Sequence, residues 1–139
     1  MIAIRTRPVV AGLHGAVASA HPLASQAGLD VLRSGGNAVD AIVAIAAALN
    51  VVEPYMSGIG GVGFLMLHTA DGETTTLNFS GNTPAAGTPD QFKPEDQDCG
   101  PRACLIPGNV AGWLEAVRTH GTKTPLEIFQ AAIRLAEEG

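Results

Sequence analysis

Three glycines in the stretch SGIGGVGFLMLH, Gly58, Gly60 and Gly63, have the G-x-G-x-x-G spacing of a loop that cradles a dinucleotide pyrophosphate. That chemistry needs a strand before the loop, a helix after it and an acid about 20 residues further on. The flanks run the other way. An apolar helical run, Val39 to Val52, precedes the glycines, and two β-branched or apolar runs, Phe64–Thr69 and Thr74–Phe79, follow them. Position 78 is Asn rather than an acid. The nucleotide reading therefore fails. Two other uses of the glycines remain open: close packing of a helix onto a first strand, or a row of backbone N–H groups around an anion or oxyanion.

Other reactive side chains are sparse. Cys99 and Cys104 are the only cysteines, spaced C-x4-C. A structural zinc site wants two further Cys or His ligands at suitable spacing, and none accompanies them, so no metal is expected. They read as two free thiols or as an optional bridge across a Gly-Pro loop. His14, His21, His68 and His120 are scattered with no paired nucleophile. There is no G-x-S-x-G, H-E-x-x-H or Walker loop, and no cofactor is expected. Asp40 reads either as the third residue of a helix cap or as a catalytic acid.

The bulk composition narrows the partners. The chain has 139 residues and a formal net charge of -5, with no basic block, so binding nucleic acid by phosphate neutralisation is not expected. An anionic membrane surface is disfavoured for the same reason. The longest apolar stretch, Ala41 to Leu49, falls far short of the ~20 residues that span a bilayer. Arg5 and Arg7 are followed by Pro8 and Gly12 rather than by a signal-peptide apolar core. The segment reads as soluble, with its cellular address open between cytoplasm and export. Hydrophobic residues make up 46% but aromatics only 4%, which favours close packing of small-faced helices.

The elements follow from local signals, with no internal domain boundary across 1–139. Val9 to Ala20 is a small-residue run with strand character. Pro22 suits the first turn of a helix carrying Leu23, Ala27, Val31 and Leu32 at helical spacing, and Gly35-Gly36 stops it. Asn37 with Asp40 resembles a capping box for the next helix, which is apolar on every side and so buried; Glu53-Pro54 ends it. Asp71-Gly72 marks a hairpin turn between the two strand runs. Residues 80–104 (SGNTPAAGTPDQFKPEDQDCGPRAC) form a long irregular stretch, a length at which ordered loops are often functional. Asn109 reads as the cap of a helix with a Trp113, Leu114 and Val117 stripe that Gly121 ends, and Trp113 reads as core. Thr124, Pro125 and Glu127 open a last helix with Ile128, Ala132 and Leu135 on one face.

Four stretches together resemble one family. HPLASQAGLDVLRSGGNAVDAIVAIAAALN, VVEP-x-x-SGIGG, IPGNVAGWLEAVRTHG and AAIRLAEEG are similar, in sequence and order, to the opening of γ-glutamyltransferases (γ-glutamyltranspeptidases), over about Gly12 to Gly139. The resemblance implies an α/β fold of the N-terminal nucleophile hydrolase class, a four-layer αββα sandwich, of which this chain is the N-terminal portion of the large subunit. It implies a precursor that cleaves itself ahead of a threonine, freeing an amine and a hydroxyl on one residue. That amine, with a reference pKa of about 7.7–8.0, serves as base to its own hydroxyl, which attacks an amide. The acyl group then passes to water or an amine. The implied partners are a small-molecule amide or γ-glutamyl substrate and the remainder of the same precursor, the small subunit with the nucleophilic threonine. No threonine here substitutes for it, since Thr74, Thr75 and Thr76 fall in a hairpin strand, so the chain alone is expected to be inactive.

One segment departs from the family pattern. Typical members carry a D-x-R-E-x-A-P-like segment after the second strand, whose arginine binds the glutamyl α-carboxylate. Alignment on Pro84 puts Asn78 at the Asp, Ser80 at the Arg and Gly81 at the Glu. SGNTPAA looks instead like a branch with Ser-Gly here, which includes proteins resembling oxamate amidohydrolase. Ser80 is the substrate-binding candidate and Asn82 a neighbouring one, unless both merely shape a turn. The alternatives are thus a γ-glutamyl transferase, a small-amide amidohydrolase, and a catalytically inert scaffold.

Overall fold

A computed structural model describes residues 9–139. Four α-helices and one hairpin run in the order α1 (Pro22–Arg33), α2 (Ala38–Val52), β1 (Phe64–His68), β2 (Thr74–Asn78), α3 (Asn109–His120) and α4 (Pro125–Glu138). Short 3-10 turns at Pro89–Gln91 and Pro94–Gln97 punctuate the long loop between β2 and α3.

The central element is α2, against which α1, α3 and α4 all pack. Its buried residues Val39, Ala41, Val43, Ala44, Ile45, Ala47 and Ala48 cover most of the helix circumference. On the remaining side Ile42 is 44% exposed, so the helix is not buried all round as its apolar sequence implied. Small side chains let the neighbours approach. On α1, a methyl added at Gly28 would lie 2.6 Å from the Ile45 side chain. The expected small-faced packing is therefore present, although Leu23, placed on the inner face by its spacing, is exposed. Leu114 is likewise exposed, while Trp113 and Val117 of the same helix are core.

The hairpin pairs antiparallel with Leu65 opposite Leu77 and His68 opposite Thr74. Leu65, Leu67 and Leu77 pack onto the helical core. Phe64 and Met66 point to the opposite face and are 73% and 76% exposed. The turn is a three-residue Ala70-Asp71-Gly72 loop. Gly72 takes φ +92°, and the N–H of Thr69 donates to the carbonyl of Glu73 at 2.9 Å. Residues 9–20 form no strand, contrary to the reading from composition. Val9, Val10 and Leu13 are exposed, and no ladder partner among the described residues takes up the backbone groups that a strand must pair.

A buried carboxylate joins the two ends of the helical layer. Asp40 is fully buried and closes the α2 capping box, accepting from the N–H of Asn37 at 2.9 Å while Asn37 Oδ1 accepts from the N–H groups of Val39 and Asp40. The same carboxylate accepts from Thr122 N–H and Oγ1 at 3.1 and 2.7 Å, and from Lys123 N–H at 3.3 Å, in the turn between α3 and α4. Asn37 Nδ2 adds a 2.6 Å bond to the carbonyl of His120. Every oxygen is thus occupied by structural donors, which decides the open question: Asp40 is a cap and clamp rather than a catalytic acid.

Burial pushes the Asp40 carboxyl up, but the bonds from Asn37, Thr122 and Lys123 outweigh burial and hold it below the ordinary Asp value. At the start of α4, the hydroxyl and N–H of Thr124, with Lys123, hold Glu127 at about 2. Both carboxyls are more acidic folded than unfolded. Their contribution is therefore complete above the ordinary carboxylate range and is lost as pH falls through the folded values, which for Glu127 means toward about 2. Urea midpoints measured across that window should fall steeply for the wild-type chain and less steeply for Glu127→Gln. Asp40→Ala, which strands buried donors, should lower stability at neutral pH by about 3 kcal/mol or more.

Candidate functional site

The route to Ser80 starts at the end of α2. The glycine loop that follows is pinned from two sides. Asn50, the one polar residue of α2 besides Asp40, donates Nδ2 to Ser57 Oγ at 2.5 Å and to the carbonyl of Ala46 at 3.0 Å. Asn109 Nδ2 donates to the carbonyl of Gly58 at 2.8 Å. The Gly61 carbonyl accepts both Gly108 N–H and Asn109 N–H, at 2.9 and 3.0 Å. Asn109 is therefore not the α3 cap that its position implied. Gly108 caps α3 without a side-chain bond, and the buried Asn109 amide ties the helix to the loop 51 residues earlier in the chain.

The glycines also make room for one ring. A methyl at Gly63 would lie 2.7 Å from Phe79 Cε2, and one at Gly112 would lie 2.3 Å from Phe79 Cγ. At Gly108 it would meet the Phe79 carbonyl oxygen at 1.9 Å. Phe79 N–H donates to the carbonyl of Gly63 at 3.1 Å. Residue 79 thus sits in a slot formed by the end of the glycine loop and one face of α3. Gly58 and Gly60, in contrast, have open space where a side chain would begin. The close-packing reading holds at Gly63 and at the unflagged Gly61, and does not account for the first two members of the fingerprint.

Locking Phe79 fixes the backbone that carries Ser80. The N–H of Ser80 donates to Asn78 Oδ1 at 2.8 Å, an Asx turn that bends the chain out of β2, and Gly81 continues it at φ +75°. Ser80 is half-buried and Asn82 exposed. Neither side chain has a protein hydrogen-bond partner among the described residues, so hydroxyl and amide are both free to meet a ligand. Asn78 is the residue that shapes the turn. Neither Ser80 nor Asn82 lines the cavity of about 560 Å³ that lies between α2 and β1. That cavity is walled mainly by apolar side chains, Ile42, Val43, Phe64 and Trp113 among them, and offers little chemistry.

Sequence reasoning passed over Asn50. Its Oδ1 is buried and has no partner, because the amide group must face the Ala46 carbonyl. A lone Asn in the run AAALNVV was the available signal. Among the described residues, no three His, Cys, Asp or Glu side chains come together as metal ligands, and no helix is long and apolar enough to cross a membrane.

This arrangement of helices and hairpin recurs in solved enzymes. The γ-glutamyltranspeptidase of Helicobacter pylori superposes on 95% of the chain with a TM-score of 0.87 and 40% identity, the match covering 40% of that enzyme's chain. The chain is thus a helix-and-sheet portion of the α/β fold of N-terminal nucleophile hydrolases. The family model for gamma-glutamyltranspeptidase matches residues 24–139, and the chain belongs to that family. A glutathione hydrolase proenzyme of Bacillus subtilis (strain 168) is 44% identical over 96% of the chain and 24% of the relative. An acylase ACY 1 proenzyme of Pseudomonas sp. (strain V22) is 38% identical over 92% of the chain and 25% of the relative. The chain spans about a quarter of the length of these curated relatives.

The slot can be tested by a double-mutant cycle. Gly112→Ala alone should destabilise, since overpacking costs typically about 1–3 kcal/mol and exceeds the gain of about 1 kcal/mol in helix propensity. With Phe79→Ala in the background, the same change should cost less, because the ring contacts at 2.3 and 2.4 Å are gone and only the Cβ contact at 2.8 Å remains. Denaturant midpoints of the four proteins check that coupling.

Proposed function

We propose that the chain is the N-terminal part of the large subunit of an amide-cleaving enzyme, acting through a threonyl acyl-enzyme with transfer to water or an amine. The observation that carries this reading is the match of nearly the whole chain to about a quarter of proenzymes named as glutathione hydrolases and acylases. In this reading the rest of the precursor supplies the nucleophile, with its own α-amine as base, and a second sheet that covers Phe64 and Met66. The described portion contributes the rigid platform from α2 to Ser80. A chain of these 139 residues alone should give no turnover of a chromogenic γ-glutamyl anilide above a blank.

Ser80, with Asn82 beside it, meets the acyl portion of the substrate. A guanidinium holds a carboxylate with two charge-assisted bonds, whereas a serine hydroxyl offers one neutral donor. Loss of ~1.5–3 kcal/mol corresponds to roughly ten- to a hundredfold in γ-glutamyl affinity. The Ser80 position therefore favours an amide with a smaller or uncharged acyl group, as in an amidohydrolase or acylase, over a glutathione-type transferase. The free hydroxyl at the end of a fixed strand supports that choice. In the full-length enzyme, Ser80→Arg should raise kcat/KM for a γ-glutamyl anilide roughly tenfold or more. No gain would mean that the acyl pocket is built from other residues.

A further inference from the structure

The loop between β2 and α3 is closed at its base. Phe79 lies against Gly108, and a methyl at Gly81 would touch Ile106 at about 4 Å, so residues 81–106 leave and return at one place. On the returning arm the chain reverses direction at Gly100-Pro101-Arg102-Ala103. There the N–H of Ala103 donates to the Gly100 carbonyl at 3.1 Å. Proline at the second position of the reversal presets its φ. Arg102 holds the reversal in place, its Nη1 donating to the carbonyl of Gln91 and to Asp96 Oδ2.

Cys99 and Cys104 are the residues immediately outside this reversal, and both are free and exposed. The Cys104 thiol already folds back over the turn, with Sγ 3.6 Å from the Gly100 carbonyl oxygen, next to Cys99 in the chain. A β-turn brings its first and fourth Cα atoms within about 7 Å. A disulfide between the residues just outside it needs Cα atoms about 4.4–6.8 Å apart, a separation that this reversal puts within reach. We infer that Cys99 and Cys104 form a reversible dithiol–disulfide site that staples the returning arm of the loop. Burial does not shield either sulfur, so the co-reactant can be a low-molecular-weight disulfide. One cysteine, as thiolate, attacks a sulfur of that disulfide and expels a small thiolate, leaving a mixed disulfide. The second cysteine, having lost its proton to solvent, attacks the protein sulfur, closes the Cys99–Cys104 bond and expels the second small thiolate. Two electrons pass to the small disulfide, which leaves as two thiols.

Trypsin cuts after Arg102, between the two cysteines, which gives a direct assay. The full-length precursor is equilibrated with oxidised glutathione, quenched by alkylation and digested without reductant. The expected product is one pair of tryptic peptides held together through Cys99 and Cys104, which separates on reduction. It should be absent from Cys99→Ser and Cys104→Ser, whose remaining thiol should carry glutathione or alkylating agent. Separate alkylated peptides from the wild-type protein, a stable glutathione adduct on either cysteine, or a covalent dimer through them would each overturn the assignment.

Discussion

The Asp40 carboxylate is the interaction on which the helical layer depends. It is a charge removed from water, which on its own is strongly unfavourable, and it persists because donors from the start of α2 and from the α3–α4 turn converge on it. Gly121 is part of the same device. A methyl there would lie 2.6 Å from Asp40 Oδ1, so the turn can reach the carboxylate only with glycine at that position. Residues 82 apart in sequence are thereby held at one point, and the apolar faces of α2 and α4 meet in register around it.

From that fixed layer a chain of contacts runs toward the candidate site. Asn50 and Asn109 hold the glycine loop from two helices, the loop and α3 enclose Phe79, and Phe79 sets the backbone of Ser80. A side chain on a strand end locked in this way is limited in its excursions, the kind of support that a ligand-contacting group needs. Asn37, Asp40, Asn50 and Asn109 are consumed by the scaffold, whereas the side chains of Ser80 and Asn82 make no hydrogen bond among the described residues.

The exposed outer face of the hairpin has a physical explanation in the same architecture. Alternation along β1 buries Leu65 and Leu67 against the helices and leaves Phe64 and Met66 outward. Large apolar residues on both faces are the mark of a sheet designed to be covered twice, as in a layered sandwich.

Local signals in the sequence determined most of the elements. The caps at Asn37–Asp40 and Thr124–Glu127, the prolines at helix starts, the terminating glycines and the Asp71-Gly72 turn act within a few residues, and all appear where their chemistry places them. The four family-like stretches, in their order, also made the family legible. Partner identity was not legible, because it depends on residues far apart in the chain. Asn109 looked like a cap and became a tether to Gly58; Leu23 and Leu114 had core spacing but no neighbour to bury them; Val9 to Ala20 had strand composition but no strand to pair with. The G-x-G-x-x-G spacing likewise allowed several uses, and only the approach of Phe79 decided which glycines need to be glycines. Backbone conformation is set by near neighbours, whereas burial and pairing are set by whichever distant surface arrives, and only the tertiary structure supplies that surface.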